Sequence, residues 1–498
     1  MMAGKTIRLL TLSMAVLLLF TLAACKGGGD GTGTSGSATT PSSPEGTQEG
    51  QSALDRTGLE IRDYQNGTMN IWYSTLTGWK PYPLDVSAQE AEADLVYEAG
   101  FDRNDVMQEL LNINIVYHPN ESNPNATDDS GDVAALRNLR LSGDDANYDM
   151  IMTGGTPCST LTLEGFFDDL NNYSYIKPDA DYYEADVNEQ IRFKGYQYFA
   201  CGYYSVMNTA ALDVTFVNRA IVEDYTDYTM DQLYELALNN EWTAELMMEI
   251  GSVYATPDDN TGDYQTDRYG FIMSRNYAQN MFYDLGGTAV AWNENTGEYE
   301  CTLNSTENIE LLDWIRTVFT SRDGREVGII HNDQHDRAFL AGAAPFMTVN
   351  YYCLWSMIDS DLLWGILPPP LRAAGEQYRS YSDVWNLNFA GIPIGCADTD
   401  KASYLYEIYM CLSYDYVYPA YYEQCFRTQY QPDAPSAQVF DIVAQSRTLC
   451  IANIYGALNQ HPMIGDITGS MEWEVVSNVQ IIVAAINARL EELNDTFV

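Results

Sequence analysis

A strand–helix–strand pattern near the start of the folded part constrains the fold more than any other feature of the sequence. Residues 69–74 form an alternating segment typical of a strand, and a helical stretch runs through Val106 and Leu110. Apolar side chains at positions 113, 115 and 117 then recur with a period of two. Because a strand, a helix and a second strand form the unit of a parallel sheet, the pattern predicts an α/β fold.

Further strand and helix patterns follow along the chain. The Asn-Thr-Gly turn at 295–297 predicts a hairpin, and Thr229 with Gln232 predicts a capping box at the start of a helix. The other strand patterns lie at residues 148–152, 213–217, 346–350 and 363–367, and the amphipathic helix patterns at residues 311–319 and 479–493. This alternation, interrupted by several excursions, favours an α/β chain in two lobes.

Length and charge exclude some classes of protein. At about 150 residues per domain, 498 residues suggest two or three domains or one bilobal body. The chain has 70 acidic and 25 basic residues, and a net charge of -45 repels nucleic acid. Because 46% of the residues are apolar and 12% are aromatic, a large folded core is expected rather than a disordered acidic chain.

The first 24 residues are typical of an export signal. Lys5 and Arg8 precede an apolar run of 14 residues at 9–22, which is shorter than the ~20 residues that span a bilayer. The run ends in Leu-Ala-Ala-Cys, which resembles a bacterial lipobox and predicts a lipid on Cys25. Residues 25–65 are predicted to be a flexible tether rich in Gly, Ser, Thr and Pro. The expected location is the extracellular face of the cell membrane, and the mature chain would carry a net charge of -47, from 23 basic and 70 acidic residues.

No catalytic or metal-binding pattern is convincing. The sequence contains neither a nucleotide-binding P-loop nor a Rossmann glycine fingerprint, and no pair of cysteines has zinc-site spacing. His331 and His335 lack the glutamate of a zinc-protease motif, and the acidic loop at 258–263 does not continue in the register of a calcium-binding hand. We therefore predict no enzyme activity, no cofactor and no metal, and calcium at the acidic loop remains an open alternative.

An ordered series of short motifs covers residues 66–498. The motifs lie at residues 94–117, 148–151, 161–170, 214–219, 240–243, 267–271, 339–342, 364–368, 377–378 and 419–422. Behind a lipobox, this series resembles the family 1 extracellular solute-binding proteins of carbohydrate ABC transporters. The chain departs from the family at Tyr182-Tyr183, where relatives tend to carry a tryptophan pair, and after Pro370, where a usual lysine is absent.

The resemblance implies a two-lobed, periplasmic-binding-protein-like fold of type II, with lobes joined by crossover segments. We expect residues 66–180 and 333–378 to form lobe 1, and residues 181–332 and 379–498 to form lobe 2. It further implies a monomeric receptor that captures a mono- or oligosaccharide between the lobes and delivers it to an ABC permease in the membrane.

Most candidate binding residues follow predicted strands, because ligand crevices lie at the carboxyl ends of parallel strands. Tyr381, Asp383 and Trp385 lie near a predicted crossover, and Tyr203 and Tyr204 precede the predicted strand at 213–217. Sugars present apolar faces and many hydroxyl groups, which suit aromatic platforms and polar side chains. The candidates are Trp79, Tyr352, Tyr351, Trp385, Asp383, Trp355, Tyr381, Thr75, Thr77, Thr153, Gly154, Tyr203 and Tyr204. Trp242 and Trp314 are expected in the core instead.

Three alternatives remain open at this point. A surface glycan-degrading enzyme, a hydrolase or lyase with an acid pair, cannot be separated from a receptor because 70 carboxylates place some pair near any cleft. The strong negative charge would also suit a receptor for a cationic or peptide solute, such as a polyamine. An adhesin or scaffold without a small ligand is the third alternative.

Overall fold

Two sheets organise the part of the chain that this computed structural model describes. That part comprises residues 46–77, 80–81, 87–88, 95–123, 131–256, 261, 263–274, 280–320, 327–330, 334–350, 353, 356–357, 360–382, 384, 386–421, 434–456 and 474–497. The strands are β1 Gly67–Ser74, β2 Leu76–Thr77, β3 Lys80–Pro81, β4 Ile113–Asn120, β5 Met150–Gly154, β6 Asp213–Asn218, β7 Phe271–Ser274, β8 Val290–Asn293, β9 Glu298–Cys301, β10 Val327–Ile330, β11 Phe346–Asn350, β12 Trp364–Leu367, β13 Ser380–Tyr381, β14 Asn388–Gly391 and β15 Arg447–Thr448.

Helices alternate with these strands. They are α1 Gly46–Thr57, α2 Leu95–Leu111, α3 Gly131–Ser142, α4 Gly155–Leu163, α5 Ala185–Ile191, α6 Val206–Ala210, α7 Arg219–Tyr225, α8 Met230–Leu238, α9 Ala244–Ser252, α10 Asn280–Asp284, α11 Thr306–Thr320, α12 His335–Leu340, α13 Thr399–Tyr421, α14 Ala434–Gln445, α15 Ile451–Ile454 and α16 Val475–Thr496. Within the described residues, no helix combines the length and the apolar character that crossing a membrane requires.

The first sheet has the strand order β14-β5-β1-β4. Strand β1 pairs in parallel with β4, from Gly67 opposite Ile113 to Ser74 opposite Asn120, and in parallel with β5. Strand β14 is antiparallel to β5. The predicted strand–helix–strand unit is therefore confirmed, and its three parallel strands end at one edge.

The second sheet has the order β10-β7-β11-β6-β12. Strands β10, β7 and β11 are mutually parallel, whereas β6 runs antiparallel to both β11 and β12. The hydroxyl groups of Thr215 and Thr348 are hydrogen-bonded at 2.9 Å across the β6–β11 pair. Since β11 and β12 belong to this sheet, the predicted assignment of residues 333–378 to lobe 1 does not match the strand pairing.

The segment after residue 379 also differs from the predicted division. Strand β14 joins the first sheet, and α13 packs on the first half of the chain. The Tyr409 and Tyr117 hydroxyl groups lie 3.1 Å apart, and the Arg103 guanidinium lies 4.3 Å from the centre of the Tyr409 ring. An apolar strand pattern indicates burial but not the sheet that the strand joins, so the pattern alone does not determine the lobe to which a strand belongs.

The unusual pair Tyr182 and Tyr183 also contacts α13. Both hydroxyl groups donate to the buried carboxylate of Glu407, which accepts a further bond from the N–H of Lys177 at 3.2 Å. Burial raises the pKa of Glu407, and these donors offset part of the shift. The pair therefore anchors α13 rather than a ligand.

The predicted tether is shorter than expected. Helix α1 occupies residues that we predicted to be flexible, and its Ala53 and Leu54 are buried. Arg56 forms an ion pair with Asp415 of α13 at 3.0 Å, and the Cys411 thiol lies 3.8 Å from the Ala53 carbonyl. Composition did not reveal this helix because its few apolar side chains find a surface only in the folded protein. The export signal and Cys25 lie outside the described residues.

Local predictions elsewhere are confirmed. Thr229 and Gln232 form the capping box of α8, and β8 and β9 form the hairpin. Trp242 is fully buried and donates its indole N–H to the Pro368 carbonyl at 3.2 Å, and Trp314 packs partly buried against the core. Trp72 and Tyr73, adjacent in β1, belong to different hydrophobic clusters, so the first sheet has packed layers on both faces.

Candidate functional site

The carboxyl ends of the first sheet form a closed network of polar side chains. Asp132, the second residue of α3, accepts hydrogen bonds from Asn120 Nδ2 at 2.6 Å, Ser122 Oγ at 2.7 Å and Thr153 Oγ1 at 2.6 Å. Ser74, the last residue of β1, also bonds to this carboxylate. Burial raises the pKa of Asp132, and the four donors offset part of that effect. The network ties the ends of β1, β4 and β5 together.

Three predicted binding residues, Thr75, Thr153 and Gly154, lie at this first-sheet edge, and a fourth, Thr77, lies in the hairpin that follows β1. Thr153 is fully buried and its hydroxyl is used by Asp132, so it positions the edge rather than presenting a free group. Thr75 is half-buried and donates to the Asn120 carbonyl at 3.1 Å. Gly154 lies opposite Asn388 of β14, and Thr77 pairs with Lys80 in the short β2–β3 hairpin.

A close approach of two segments occurs at Gly155, where α4 begins. A Cβ atom on this residue would lie 2.4 Å from Val384 Cγ2 and 3.0 Å from Phe389 Cε2. Only a residue without a side chain fits between α4 and the segment that leads into β14.

The corresponding edge of the second sheet is built differently. Asn350 ends β11 and lies opposite Asp213, the first residue of β6. Asn280 is the first residue of α10, which follows the neighbouring strand β7. Both asparagines are buried, and neither the oxygen nor the nitrogen of either amide has a hydrogen-bond partner in the part of the chain described.

Tyr381 lies beside this second edge but is not exposed to a ligand. It is 1% exposed, and its ring stacks on Tyr283 at 4.6 Å with 17° between the planes. Its N–H donates to Asp284 Oδ1 at 2.8 Å, and its hydroxyl is bonded to Asn453. Burial raises the pKa of Asp284 well above its ordinary value. Tyr381 therefore fixes α10 against the segment that enters the crossover.

Two crossover segments connect the sheets next to these edges. Residues 200–213 run from a bridge with Ala390 of β14 to the start of β6, and residues 381–388 run from β13 to the start of β14. The Asn388 N–H donates to Asn208 Oδ1 at 2.8 Å, and the Tyr204 hydroxyl donates to the Asn388 carbonyl at 2.8 Å. The hydroxyl of Tyr204, a predicted binding residue, is thus buried and used to join the two crossovers.

Tyr203 is the predicted aromatic residue that keeps partial exposure in the described chain. Its ring lies 4.3 Å from that of Tyr418 and 5.2 Å from that of Tyr414, and the latter two stack on each other at 5.5 Å. Burial, followed by the charge of Glu184, raises the pKa of Tyr203. The cluster forms a half-buried aromatic surface beside the first crossover.

The remaining predicted site residues lie outside the described residues. They are Trp79, Tyr351, Tyr352, Trp355, Asp383 and Trp385. In the chain, Tyr351 directly follows Asn350, and Asp383 directly follows Ser382 of the second crossover. Sequence reasoning missed Asp132, Asn280, Asn350 and Asn388, although a polar residue at the end of an apolar strand is a signal that marks Asn350.

Metal-binding side chains do not cluster in the part of the chain that the structure describes. Within the described ranges, no cluster of three or more His, Cys, Asp or Glu side chains could hold an ion. His335 Nε2 lies 3.3 Å from Cys353 Sγ, while His331 and most of the acidic loop at 258–263 lie outside those ranges. None of the described cysteines forms a disulfide bond.

Solved structures with similar folds cover most of the chain. A cyclo/maltodextrin-binding protein complexed with maltotetraose matches with a TM-score of 0.57 and 11% identity, over 86% of this chain and 98% of that one. The fold is periplasmic-binding-protein-like. An ABC substrate-binding protein from Listeria monocytogenes in complex with cycloalternan matches with a TM-score of 0.51 and 14% identity, over 85% and 98% of the two chains. A solute-binding protein of an ABC transporter from Thermotoga lettingae, bound with α-D-tagatose, matches with a TM-score of 0.51 and 12% identity, over 85% of this chain and 100% of that one.

These matches confirm the predicted fold class, an α/β chain in two lobes joined by crossovers. No family model matches the sequence, and no curated protein matches it.

Proposed function

We propose that the chain is the substrate-binding lipoprotein of an ABC importer. It captures an extracellular mono- or oligosaccharide between its two sheets and delivers it to a membrane permease. The observation that carries this proposal is the fold likeness to a maltotetraose-bound binding protein over 86% of the chain. The positions of the two sheet edges and both crossovers support it, because such crevices are where α/β sheets bind ligands.

Binding in this proposal shifts an equilibrium between open and closed arrangements of the lobes. The crossovers at 200–213 and 381–388 are the segments about which such a closure turns. A ligand that contacts both edges favours the closed form by its differential affinity for that form. The permease would then recognise the closed, loaded receptor, which acts as a monomer and performs no chemistry.

The ligand contacts in this proposal combine stacking and hydrogen bonds. Trp79, Tyr351, Tyr352, Trp355 and Trp385 are proposed to stack on sugar faces, since aromatic rings cover the apolar C–H surfaces of sugars. Tyr203, Thr75 and Asp383 are proposed to complete the site. We also propose that Cys25 carries the lipid that holds the receptor at the outer face of the membrane.

A thermal-shift and calorimetry screen tests the function. The protein is titrated with maltotetraose, cycloalternan, tagatose, a peptide mixture and spermidine, and at least one glycan is expected to raise the melting temperature by mass action. Alanine at both Trp79 and Tyr352 should abolish that shift, whereas alanine at Trp314, in the core, should lower the unliganded melting temperature and leave affinity intact. A shift with spermidine alone, or release of product from a glycan, would replace this proposal with one of its alternatives.

The lipid anchor has a separate test. Cys25→Ser is expected to release the protein from the membrane fraction into the medium without changing glycan affinity. Retention of the variant in the membrane fraction would contradict the anchor and leave the binding function standing.

A further inference from the structure

Asn280 and Asn350 are unusual among the buried asparagines of the described chain. They are 1% and 0% exposed, and they are the two in which the side-chain oxygen and nitrogen both lack a hydrogen-bond partner. Buried polar groups are nearly always paired in native proteins, since an unpaired one has lost its hydration without replacement. Such exceptions indicate a partner that is not part of the chain.

Other buried amides show that this chain normally satisfies such groups. Asn308 donates to the carbonyls of Thr288 and Thr302 at 2.7 and 2.8 Å and accepts from the Thr288 N–H. Asn208 donates to the Gly202 carbonyl at 2.8 Å and accepts from Asn388. Asn388 lacks a partner for its side-chain oxygen alone, so Asn280 and Asn350 are the buried asparagines of the described chain whose amides are unpaired at both atoms.

That place is the carboxyl edge of the second sheet. Strands β7 and β11 are parallel neighbours, so Ser274 at the end of β7 and Asn350 at the end of β11 lie at the same edge. The second crossover passes this edge, because Ser380 Oγ donates to the Asp213 carbonyl at 3.1 Å and the Tyr381 N–H donates to Asp284, one helical turn after Asn280.

We propose, building on the sugar-binding function above, that Asn280 and Asn350 select an uncharged polyhydroxyl ligand. A primary amide offers two donors and a carbonyl acceptor, and a hydroxyl group both donates and accepts, so the two are complementary. A cation gives the amide nitrogens nothing to which they can donate. An anionic ligand meets the buried carboxyl group of Asp213, which lies opposite Asn350.

Leucine replacements test this selection because leucine resembles asparagine in size but has no polar atoms. Asn350→Leu and Asn280→Leu should maintain or raise the unliganded melting temperature, since each removes an unpaired buried group. Both should lower affinity for the neutral glycan bound by the wild type at least tenfold. Asn308→Leu is the matched control, which should lower the melting temperature and leave affinity within twofold.

A milder substitution at Asn350 provides a test if the leucine variants do not fold. Asn350→Asp keeps the shape and replaces the donors with a carboxyl group, and it should weaken binding of the neutral glycan while strengthening binding of spermidine. Binding is measured by calorimetry with maltotetraose, tagatose, galacturonate and spermidine as probes.

The outcomes separate this inference from the proposed function. If both leucine variants lower the melting temperature as Asn308→Leu does and retain affinity, the amides are structural and the inference is wrong. If the wild type binds galacturonate or spermidine more tightly than the neutral glycans, the proposed selection of an uncharged ligand is wrong, but the protein is still a solute receptor. If no glycan raises the melting temperature of the wild type, both the proposed function and the selection of a polyhydroxyl ligand fail, and a stabilising effect of the leucines shows only that the amides are unpaired in the free protein.

Discussion

The carboxyl edges of the two sheets use their polar side chains in opposite ways. At the first edge, Asp132 collects Asn120, Ser122 and Thr153 into a network in which each group has a partner. At the second edge, the amides of Asn280 and Asn350 are as buried as Asp132 and Thr153 but have no partner in the described chain. Our proposal rests on this unequal pairing: the first edge is a fixed support, and the second edge holds the unpaired amides that we propose bind a ligand.

The largest expected effect comes from breaking the closed edge. Asp132→Ala removes the acceptor of four donors, of which Ser74 and Thr153 are buried and Asn120 and Ser122 are half-buried. Because a buried group left unpaired costs about 1–3 kcal/mol, we expect a loss of about 3–5 kcal/mol in the free energy of unfolding. Urea unfolding measures this change. Asp313→Ala removes an exposed carboxylate paired with Arg316 and should cost less than about 1 kcal/mol. A similar small loss for Asp132→Ala would mean that the network contributes little.

A smaller loss is expected where the first edge meets the second crossover. In Gly155→Ala the new methyl group would overlap Val384 Cγ2, and overpacking of this kind costs about 1–3 kcal/mol. Adding Val384→Ala removes the nearest atom and should recover part of the melting temperature. If the stability losses of Gly155→Ala and Val384→Ala simply add in the double variant, overlap with Val384 is not the cause of the loss in Gly155→Ala.

A third prediction uses the buried carboxyl group of the second edge. Because burial raises the pKa of Asp284, the folded protein retains a proton on this group at a pH where the unfolded chain has released it. The contribution of Asp284 to stability is therefore present at low pH and is lost as pH rises through the folded pKa. Asp284→Asn, which keeps the acceptor for the Tyr381 N–H, should gain stability relative to the wild type as pH rises from about 4 to about 8.

The control for this pH series has no titrating group. Asn308→Ala should show the same stability deficit at each pH, measured by thermal unfolding in matched buffers. A constant difference between Asp284→Asn and the wild type would contradict the raised pKa.

The sequence predicted the fold better than it predicted the connections within the fold. The period-two and helical patterns at 69–117 indicated a strand, a helix and a strand, and Thr229 with Gln232 indicated a helix start, because each single element depends on residues near it in the chain. The sheet joined by β11 depends on contacts with β6 and β7, more than 70 residues earlier in the chain, and no local pattern contains that information.

The site shows the same limit. The rule that ligand groups follow strands selected Thr75, Thr153 and Gly154, which lie at the carboxyl ends of the first sheet. It could not show that the Thr153 hydroxyl is used by Asp132, a residue in a different helix, or that Tyr204 joins two crossovers. Residue type predicts what a side chain can bind, whereas the folded neighbours decide whether it is still available.

The smallest expected effect tests whether the first edge is only a support. Thr75→Val removes a hydroxyl that donates to the Asn120 carbonyl, but that carbonyl still accepts from the Thr75 N–H at 2.9 Å, so no acceptor is left unpaired. We expect a loss of about 0.5–1 kcal/mol in urea unfolding. Thr317→Val, which removes an exposed hydroxyl bonded to the Asp313 carbonyl, is the matched control. If glycan affinity falls more than threefold in Thr75→Val but not in Thr317→Val, the half-buried hydroxyl also contacts the ligand, and both edges then share in recognition.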